Sequence, residues 1–403
     1  MIEKKSFAVV GAGIIGAAVA RELTRRFPEA LVSVYDKEPR VASHQTGHNS
    51  GVVHAGLYYE VGSLKATLCR RGATLLKDFC TEKDLPYEEC GKLVIALNEQ
   101  ERGRLINIHE RASSNQVPGV KMISSEGIRE IEPNAIGIAA LHSPSTAIVD
   151  YAKVAEALAA DVVEAGGQVL LNCEVLSINE QSTGITLETT QGSFAADYVV
   201  VCAGAQSDRL ARGAGASKQP SIVPFFGQYF KLDESHRGIL NGLVYPVPDP
   251  KYPFLGVHLT KRVDGEMMVG PNAFLSLSRE KYTGLGLDAR DLTETLSNPG
   301  FWKFAFRNMP TAMREVKTVL SEKYFLQEAA KYAPSLEGAT TTRLTRGIRA
   351  QAMGADGSLL DDFVIDYEKR VTHIRNAPSP GATSSMAIAE HIVSSLVKQY
   401  ALS

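Results

Sequence analysis

The chain has 403 residues, 44% of them hydrophobic and 22% charged, which is typical of a globular protein of roughly two or three domains. Its formal net charge of −2 at pH 7 leaves no basic field for a nucleic-acid partner. The five cysteines show no paired spacing, no apolar run is long enough to span a bilayer, and no secretory leader precedes the first apolar run. We therefore expect a cytoplasmic protein and leave peripheral contact with the inner membrane open.

The first predicted element is a buried parallel strand at 7–10, which leads into the glycine-rich sequence GAGIIG at 11–16. A helical segment at 17–23 and a second strand, Leu31–Tyr35, come next, and Asp36 follows directly. This order of strand, glycine turn, helix, strand and acid is the dinucleotide-binding fingerprint, in which the helix N-terminus stabilises a pyrophosphate and the acid binds ribose. The predicted cofactor contacts here are Gly11, Gly13, Ile14, Ile15, Gly16, Asp36 and Lys37.

A second informative stretch, HQTGHNSGVVHAG at 44–56, is dense in small residues, hydroxyls and histidines. His44 and His48 have a spacing that zinc sites use on helices, but Gly47 between them disfavours a helix and no further Cys or Glu ligand follows at metal spacing. We therefore predict no metal site, and expect these histidines to bind the cofactor or stabilise the loop. The predicted cofactor contacts in this loop are His44, Gln45, Thr46, Ser50 and Gly51.

Two distant segments favour FAD over a nicotinamide cofactor. Residues 196–205 form a predicted strand that ends in a turn of small residues, and residues 376–383 form a glycine-bearing loop before a final helix at 386–397. The N-terminus of that helix could face a flavin, whereas the last residues of a plain NAD dehydrogenase need not return to the first domain. We therefore predict FAD, with further contacts from Val175, Ala203, Gly204, Pro378, Gly381, Ala382 and Thr383.

The middle of the chain alternates helical and strand patterns. A helix at 151–165 stops at paired glycines, and Asp264-Gly265 predicts a hairpin turn. The other predicted strands are 91–97, 169–171 and 175–178 (which we take as a pair), 226–232, 255–260 and 266–270.

These patterns predict an α/β fold with a Rossmann-like FAD-binding domain and a second, α+β substrate domain built on an antiparallel sheet. We assign 1–85, 149–216 and 341–403 to the FAD-binding domain. The substrate or cap domain takes 86–148 and 217–340, with a helical, charged stretch at about 278–334.

Several motifs, spread over essentially the whole chain, resemble the L-2-hydroxyglutarate dehydrogenase (oxidase) family, within the D-amino-acid-oxidase-like flavoproteins. The motifs are QTGHNSGVVHAGLYY at 45–59, GSLKA at 62–66, YPVPDP at 245–250, GPNA at 270–273, RAQA at 349–352, DDF at 361–363 and NAPSP at 376–380. The resemblance implies FAD-dependent oxidation of L-2-hydroxyglutarate to 2-oxoglutarate, with electrons passed to a quinone, in the membrane, or to another acceptor. Asp36 departs from the wider group, which usually has glutamate there, but a shorter acid still reaches the ribose.

Oxidation of a 2-hydroxy acid at a flavin needs a base for the hydroxyl proton and a substrate C–H bond held close to the flavin. His54 is the first candidate base, because a histidine with its ordinary pKa near 6.5 is usable at neutral pH. His258 is the second, on a strand predicted to roof the flavin. For each, the alternative is a histidine that only satisfies hydrogen bonds.

The substrate also needs cations for its carboxylates. Arg349, in Gly-Ile-Arg, resembles the arginine of a Gly-Leu-Arg segment in glycine oxidase and glycerol-3-phosphate dehydrogenase, and its planar guanidinium suits the α-carboxylate. Tyr58 replaces an arginine that the glycerol-3-phosphate enzyme has in the corresponding segment, which disfavours a phosphate ester. Tyr245 lies upstream of His258 and is a candidate substrate contact. Lys65 is a candidate for the distal carboxylate, or a solvated lysine.

Two other functions stay open from the residues alone: an amine or amino-acid oxidase of the glycine-oxidase type, and a non-catalytic flavin-fold binding protein. The aromatic and basic segment 301–307 fits either a helix packed on the cap domain, which we favour, or a helix at a membrane interface.

Overall fold

The computed structural model describes residues 4–250, 256–271, 273–283, 286–308 and 322–402. Its helices are α1 (Ile14–Arg26), α2 (Leu64–Glu82), α3 (Glu99–Ser114), α4 (Ser125–Ile131), α5 (Tyr151–Glu164), α6 (Ser207–Gly213), α7 (Ala289–Leu296), α8 (Pro299–Arg307), α9 (Glu322–Ala330) and α10 (Ser385–Tyr400). Within these residues, no helix has both the length and the apolar character that crossing a membrane would require.

The strands are β1 (Ser6–Val10), β2 (Leu31–Tyr35), β3 (Val52–Val53), β4 (Tyr87–Glu88), β5 (Lys92–Ala96), β6 (Lys121–Ser124), β7 (Ala139–Ser143), β8 (Ala147–Val149), β9 (Gln168–Leu170), β10 (Val175–Glu180), β11 (Ile185–Thr189), β12 (Gly192–Ala196), β13 (Tyr198–Val201), β14 (Ser221–Gly227), β15 (Phe230–Leu232), β16 (Leu243–Pro246), β17 (His258–Lys261), β18 (Met267–Gly270), β19 (Phe274–Leu275), β20 (Thr341–Arg343), β21 (Gly347–Met353), β22 (Val364–Glu368) and β23 (Val371–Asn376).

The first large sheet has six strands in the order β22-β23-β13-β1-β2-β9, and every neighbouring pair except β22–β23 is parallel. Alternation along β1 places Phe7 and Val9 in a core with helices α1, α5 and α10. Ala8 and Val10 face the other way, into a core with the three-stranded sheet β10-β11-β12. Both faces of the parallel sheet are therefore covered, as the apolar run at 7–10 predicts.

The second large sheet has eight strands in the order β20-β15-β18-β17-β16-β5-β7-β6, all antiparallel neighbours except β16 and β5. The predicted hairpin is confirmed as β17–β18, with Gly265 at a φ of +80° in its turn. Leu93 and Ile95 of β5 pack in a core with Phe325 of α9. Lys92 and Val94 point to the opposite face.

Two predictions about the strands are wrong. Predicted strands 169–171 and 175–178 do not pair with each other, because β9 joins β2 while β10 joins β11; between them Asn172 turns the chain at a φ of +54°. The predicted strand 226–232 is divided into β14 and β15, which belong to different sheets. Between these two strands, the side-chain amide of Gln228 donates to the Leu344 carbonyl at 2.7 Å, a bond between distant segments that no local pattern encodes.

The predicted α/β fold class is confirmed by this combination of a parallel sheet, its helices and an antiparallel sheet. The predicted helical stretch contains α7, α8 and α9 in its described part; residue 255 of another predicted strand lies outside the described residues. Strand β20 lies in the eight-stranded sheet, whereas β22 and β23 return to the six-stranded sheet. The division into two discontinuous domains stays a prediction.

Candidate active site

A cavity of about 1350 Å³ is lined by residues of both large sheets. It is larger than the 300–1,000 Å³ of ordinary ligand pockets, so it has room for a large cofactor together with a small substrate. Its wall includes all the sequence-predicted site residues but one, namely Gly11, Gly13, Ile14, Ile15, Gly16, Asp36, Lys37, His44, Gln45, Thr46, Ser50, His54, Tyr58, Lys65, Val175, Ala203, Gly204, Tyr245, His258, Arg349, Pro378, Gly381, Ala382 and Thr383.

Gly51 is the predicted cofactor residue that does not line this cavity. Its φ is +73°, and a Cβ there would lie 2.7 Å from the carbonyl oxygen of Val149. Its own carbonyl accepts a hydrogen bond from the Val149 amide at 2.8 Å. The structure therefore gives Gly51 a packing role, because strand β8 passes too close for any side chain.

The three fingerprint glycines have different surroundings. A Cβ on Gly11 would lie 2.5 Å from the Cys202 carbonyl oxygen, and one on Gly16 would lie 1.9 Å from the Gly11 carbonyl oxygen. A Cβ on Gly13 would meet only the Thr46 hydroxyl, at 3.4 Å. Gly11 and Gly16 thus permit close backbone packing, whereas Gly13 keeps an open backbone surface at a helix N-terminus. This arrangement fits the pyrophosphate of a dinucleotide.

Side chains hold this end of the cavity in place. Asp36 accepts a hydrogen bond from the Ala12 amide at 2.6 Å and another from the Glu38 amide at 2.9 Å, so its carboxylate is fixed at the end of β2. The Thr46 hydroxyl accepts from the Ile14 amide at 3.0 Å, in the first turn of α1. The glycine fingerprint and the loop at 44–56 therefore form one cradle.

The loop histidines have partners of their own. His44 lies 2.8 Å from a Glu38 carboxylate oxygen through Nε2, while His48 donates from Nδ1 to the His44 carbonyl and stacks on Tyr282 with ring centroids 3.9 Å apart. Among the residues that the structure describes, there is no group of three or more His, Cys, Asp or Glu that could hold a metal ion. These contacts stabilise the loop, which is one of the two roles that we expected for the histidines.

Two more predicted cofactor residues connect the loop to other parts of the cavity wall. Gln45 accepts a hydrogen bond from the Ala350 amide of β21 at 3.2 Å. Lys37 forms an ion pair with Glu280, which also lines the cavity. Both side chains are therefore held in position at the wall.

The late loop before α10 returns to the early loop. Thr383 accepts a hydrogen bond from the His54 amide at 3.1 Å and shares another with the Tyr151 hydroxyl at 2.9 Å. The Ser379 hydroxyl lies 3.4 Å from Nε2 of His54. The last segment of the chain thus returns to the loop at 44–56, which is the kind of return on which the choice of FAD depends.

His258 lies on β17 and is buried. Its Nδ1 lies 2.9 Å from the Gly256 carbonyl, and its ring stacks on Tyr245 with centroids 4.0 Å apart. A carbonyl can only accept, so Nδ1 carries the proton and Nε2 keeps its lone pair. Burial lowers the pKa of His258 to about 3, and therefore the ring is neutral at physiological pH.

His54 sits among positive charges. Its pKa is held well below the ordinary value, first by burial and then by Lys92, His258, Lys65 and Arg349, in decreasing order. A neutral imidazole can accept a proton, and an anion bound nearby would raise its pKa. The structure therefore brings both candidate bases together with the predicted carboxylate partners.

The predicted cations differ in their pairing. Arg349 lies on β21 and forms a hydrogen bond with Tyr229. Burial raises the pKa of Tyr229, and Arg349 and Ser50 oppose this effect. Lys65 forms an ion pair with Asp361 at 2.7 Å. Tyr229 is a cavity residue that the sequence prediction missed; the lone tyrosine after Gln228 carried no distinctive pattern.

Lys92 is the second residue that the prediction missed. It is 2% exposed on β5, and its ammonium nitrogen lies 4.1 Å from the centroid of the Tyr245 ring. A lysine at the start of an otherwise apolar strand, KLVIA, was the available signal, because lysines are almost never fully buried without a partner.

Comparison with known proteins agrees with the interpretation of this cavity as a cofactor site. The family model described as FAD dependent oxidoreductase matches residues 6–395. The mitochondrial L-2-hydroxyglutarate dehydrogenase of Nematostella vectensis is 40% identical over 419 residues, covering 99% of this chain and 92% of the relative. L-2-hydroxyglutarate dehydrogenase of Escherichia coli (strain K12) is 39% identical over 389 residues, covering 96% and 92%.

A solved structure supports the fold. Dithionite-reduced L-alpha-glycerophosphate oxidase from Mycoplasma pneumoniae with FAD bound has a TM-score of 0.75 and 23% identity, covering 97% of this chain and 94% of that one. The prediction of FAD is confirmed by the family model, which is described as FAD dependent oxidoreductase. Given the near-complete coverage of its relatives, this chain belongs to the L-2-hydroxyglutarate dehydrogenase family of FAD-dependent oxidoreductases.

Proposed function

We propose that this protein oxidises L-2-hydroxyglutarate to 2-oxoglutarate. The observation that carries the proposal is that His54, Arg349 and Lys65 line the same cavity, with Lys92 buried behind the Tyr245 ring of its wall. These basic side chains and burial lower the pKa of His54, so its imidazole is neutral. Such a group suits a substrate that brings two carboxylates and one hydroxyl proton. The names of the relatives, which match at about 40% identity, point to the same substrate.

FAD, when bound, supplies the acceptor for the hydride that leaves C2 of the substrate. We propose that the ADP part of FAD is held by the cradle of Gly13, Asp36 and Thr46, together with the loop around Ala203 and Gly204. The remaining predicted contacts, from His44 to Ser50 and from Pro378 to Thr383, would line the rest of the cofactor.

We assign the proton transfer to His54. As the C2–H bond breaks, the hydroxyl proton passes to the imidazole and the C–O bond becomes a double bond, which gives the 2-oxo product. The low pKa of His54 keeps its imidazole neutral and able to accept this proton, and a bound carboxylate raises its basicity. His258, whose Nε2 keeps its lone pair because Nδ1 carries the proton, is the alternative base.

Arg349 is proposed to bind the α-carboxylate. Its guanidinium offers two parallel N–H donors and keeps its charge at all physiological pH values, so it can fix the orientation of C2 as well as attract the anion. Tyr58 and Tyr245 would bound the carbon chain. Lys65 is also a candidate partner for the second carboxylate, although Asp361 already neutralises its charge.

The direct test is anaerobic reduction of the purified, FAD-loaded protein. L-2-hydroxyglutarate should bleach the flavin absorbance, and D-2-hydroxyglutarate should do so far more slowly, because a fixed carboxylate and base present one C–H bond to the flavin. Equal rates with the two enantiomers would refute the assignment. If glycine, sarcosine or D-amino acids reduce the flavin instead, the protein is an amine or amino-acid oxidase. If none of these compounds reduces the flavin, the protein is a flavin-binding protein without this catalytic activity.

For the electron acceptor, we propose a membrane quinone, reached by a cytoplasmic protein that touches the membrane surface through α8. Trp302 is 45% exposed and Phe306 is 67% exposed on this helix, next to the exposed Lys303 and Arg307. Exposed aromatic residues beside basic ones are typical of helices at lipid interfaces. The wild-type protein should sediment with anionic lipid vesicles, and a variant with both Trp302→Ser and Phe306→Ser should not. Equal sedimentation of the two proteins would contradict the proposal.

A further inference from the structure

Lys92 is a buried cation without a matching anion. Its side chain lies on β5 at 2% exposure, and among the described residues no Asp or Glu carboxylate lies within ion-pair distance of its ammonium group. The groups nearest to that nitrogen include the rings of Tyr245 and Tyr58, whose centroids are 4.1 Å and 5.7 Å away. Aromatic faces attract a cation, but they compensate only part of the cost of removing it from water.

The tyrosine rings connect Lys92 to the cavity. Lys92 itself stands outside the cavity wall, whereas Tyr58 and Tyr245 form part of it. The hydroxyl of Tyr58 is buried and has no hydrogen-bond partner among the described residues. Two donors without a hydrogen-bond partner among the described residues, the Lys92 ammonium group behind the cavity wall and the Tyr58 phenol in it, therefore lie near the same part of the cavity. A single carboxylate there would satisfy both, since each of its oxygens accepts hydrogen bonds.

Lys65, which lines the cavity, differs from Lys92 in that it has a carboxylate partner. Lys65 already pairs with Asp361 at 2.7 Å, so a substrate carboxylate would have to compete with a resident carboxylate. Lys92 has no such competitor among the described residues. Of the charges that lower the pKa of His54, Lys92 has the strongest effect.

We propose that Lys92, together with the Tyr58 hydroxyl, binds the distal carboxylate of the substrate and sets the preference for a dicarboxylate. The inference rests on the proposed function and specifies how that site selects among 2-hydroxy acids. With Arg349 on the α-carboxylate and Lys92 on the distal one, the substrate is held at both ends around His54. A monocarboxylate of the same length would leave Lys92 buried and unpaired.

The test compares L-2-hydroxyglutarate with L-2-hydroxyvalerate, which has the same five-carbon chain but a methyl group in place of the distal carboxylate. Stopped-flow flavin reduction gives the dissociation constant of each substrate for the holoenzyme. In Lys92→Met the value for L-2-hydroxyglutarate should rise about 10- to 100-fold, the loss expected for one charge-assisted contact, while that for L-2-hydroxyvalerate should not change. Equal losses for the two substrates, or no loss, would overturn the proposal.

A matched control is Lys261→Met. Lys261 is on β17 of the same sheet and already pairs with Glu88, so it is not available to a substrate carboxylate and both dissociation constants should equal those of the wild type. Lys65→Met tests the competing hypothesis that Lys65 binds the distal carboxylate. If the loss specific to the dicarboxylate occurs in Lys65→Met and not in Lys92→Met, the distal subsite belongs to Lys65 and the proposal is wrong.

Thermal unfolding of the FAD-loaded proteins provides a readout that does not depend on catalysis. Glutarate, a dianion that cannot be oxidised at C2, should raise the melting temperature of the wild type but much less that of Lys92→Met, because a ligand stabilises only the state that binds it. Without ligand, Lys92→Met should melt higher than the wild type, since it removes an unpaired buried charge. A wild type that binds glutarate through Lys92 but is not reduced by L-2-hydroxyglutarate would refute the proposed function and leave the dicarboxylate subsite standing. If the wild type is reduced normally by L-2-hydroxyglutarate but glutarate raises the melting temperature of Lys92→Met as much as that of the wild type, the proposed function stands and the dicarboxylate subsite at Lys92 is refuted.

Discussion

His258 stacks on Tyr245 with ring centroids 4.0 Å apart and an angle of 27° between the planes. The stack fixes the plane of the imidazole, and the contact of Nδ1 with the Gly256 carbonyl at 2.9 Å fixes its rotation. Nε2 is therefore held in one direction with its lone pair free. No ring among the described residues stacks on His54, but His54 contacts Ser379 and Thr383 of the late loop that the cofactor needs. The two histidines can be separated by experiment.

His54→Asn should keep FAD and substrate bound while slowing flavin reduction roughly 100- to 10,000-fold, because asparagine cannot accept a proton near neutral pH. Single-turnover reduction and flavin content measure the two effects. His258→Asn is the comparison variant and should slow the step much less. If His258→Asn shows the larger loss, His258 is the base, and if His54→Asn loses FAD, His54 supports the cofactor.

Arg349→Lys should weaken substrate binding by about 1.5–3 kcal/mol and leave the flavin content unchanged, because a point-charge ammonium cannot reproduce a two-pronged contact with a carboxylate. The measurement is the substrate dissociation constant from flavin reduction. Arg343→Lys is the control, since Arg343 is exposed on β20 and does not line the cavity. Equal affinity in Arg349→Lys and wild type would remove Arg349 from the substrate site.

Gly13→Ala and Gly16→Ala should fail in different ways. An alanine Cβ at position 13 meets only the Thr46 hydroxyl at 3.4 Å, so this variant should fold and lose FAD affinity, because the methyl group occupies the path of the pyrophosphate. At position 16 the Cβ would lie 1.9 Å from the Gly11 carbonyl oxygen, so this variant should be unstable even without cofactor. FAD titration and thermal unfolding of the apoproteins distinguish the two. A Gly13→Ala protein with wild-type FAD affinity would contradict the pyrophosphate assignment.

Acid should destabilise the fold through His373. This residue is 1% exposed on β23, neither of its ring nitrogens has a partner among the described residues, and burial together with Arg375 lowers its pKa to about 4. The unfolded chain binds a proton below about pH 6.5, but the folded protein does not do so until about pH 4. The free energy of unfolding should therefore fall as the pH drops through this window, by about 2 kcal/mol between pH 7 and pH 5 from this group alone.

Urea unfolding at the two pH values measures this loss. His373→Leu removes the titrating ring while keeping an apolar side chain in the core, so the difference between pH 7 and pH 5 should shrink by the same amount. A pH dependence identical to that of the wild type would show that His373 does not cause it.

The sequence by itself determined the cofactor fingerprint and the candidate bases. Gly11, Gly13 and Gly16 could be read from their spacing because the turn they build is local, and backbone sterics at each position depend on neighbours along the chain. Strands β1 and β2 followed from short apolar runs for the same reason. The late loop was predictable as a cofactor segment because its glycines and prolines precede a helix.

Only the tertiary structure decided which charges are paired. Lys65 meets Asp361 across 296 residues of sequence, whereas Lys92 lies against the rings of Tyr58 and Tyr245 and pairs with no carboxylate among the described residues. Both lysines look alike in the sequence, because a side chain's charge is local information while its counter-ion is not. Likewise, only the fold shows that β8 lies against Gly51 and leaves no room for a side chain there. The physical reason is that Coulomb pairing and close packing depend on distances in space, which the fold sets and local spacing does not.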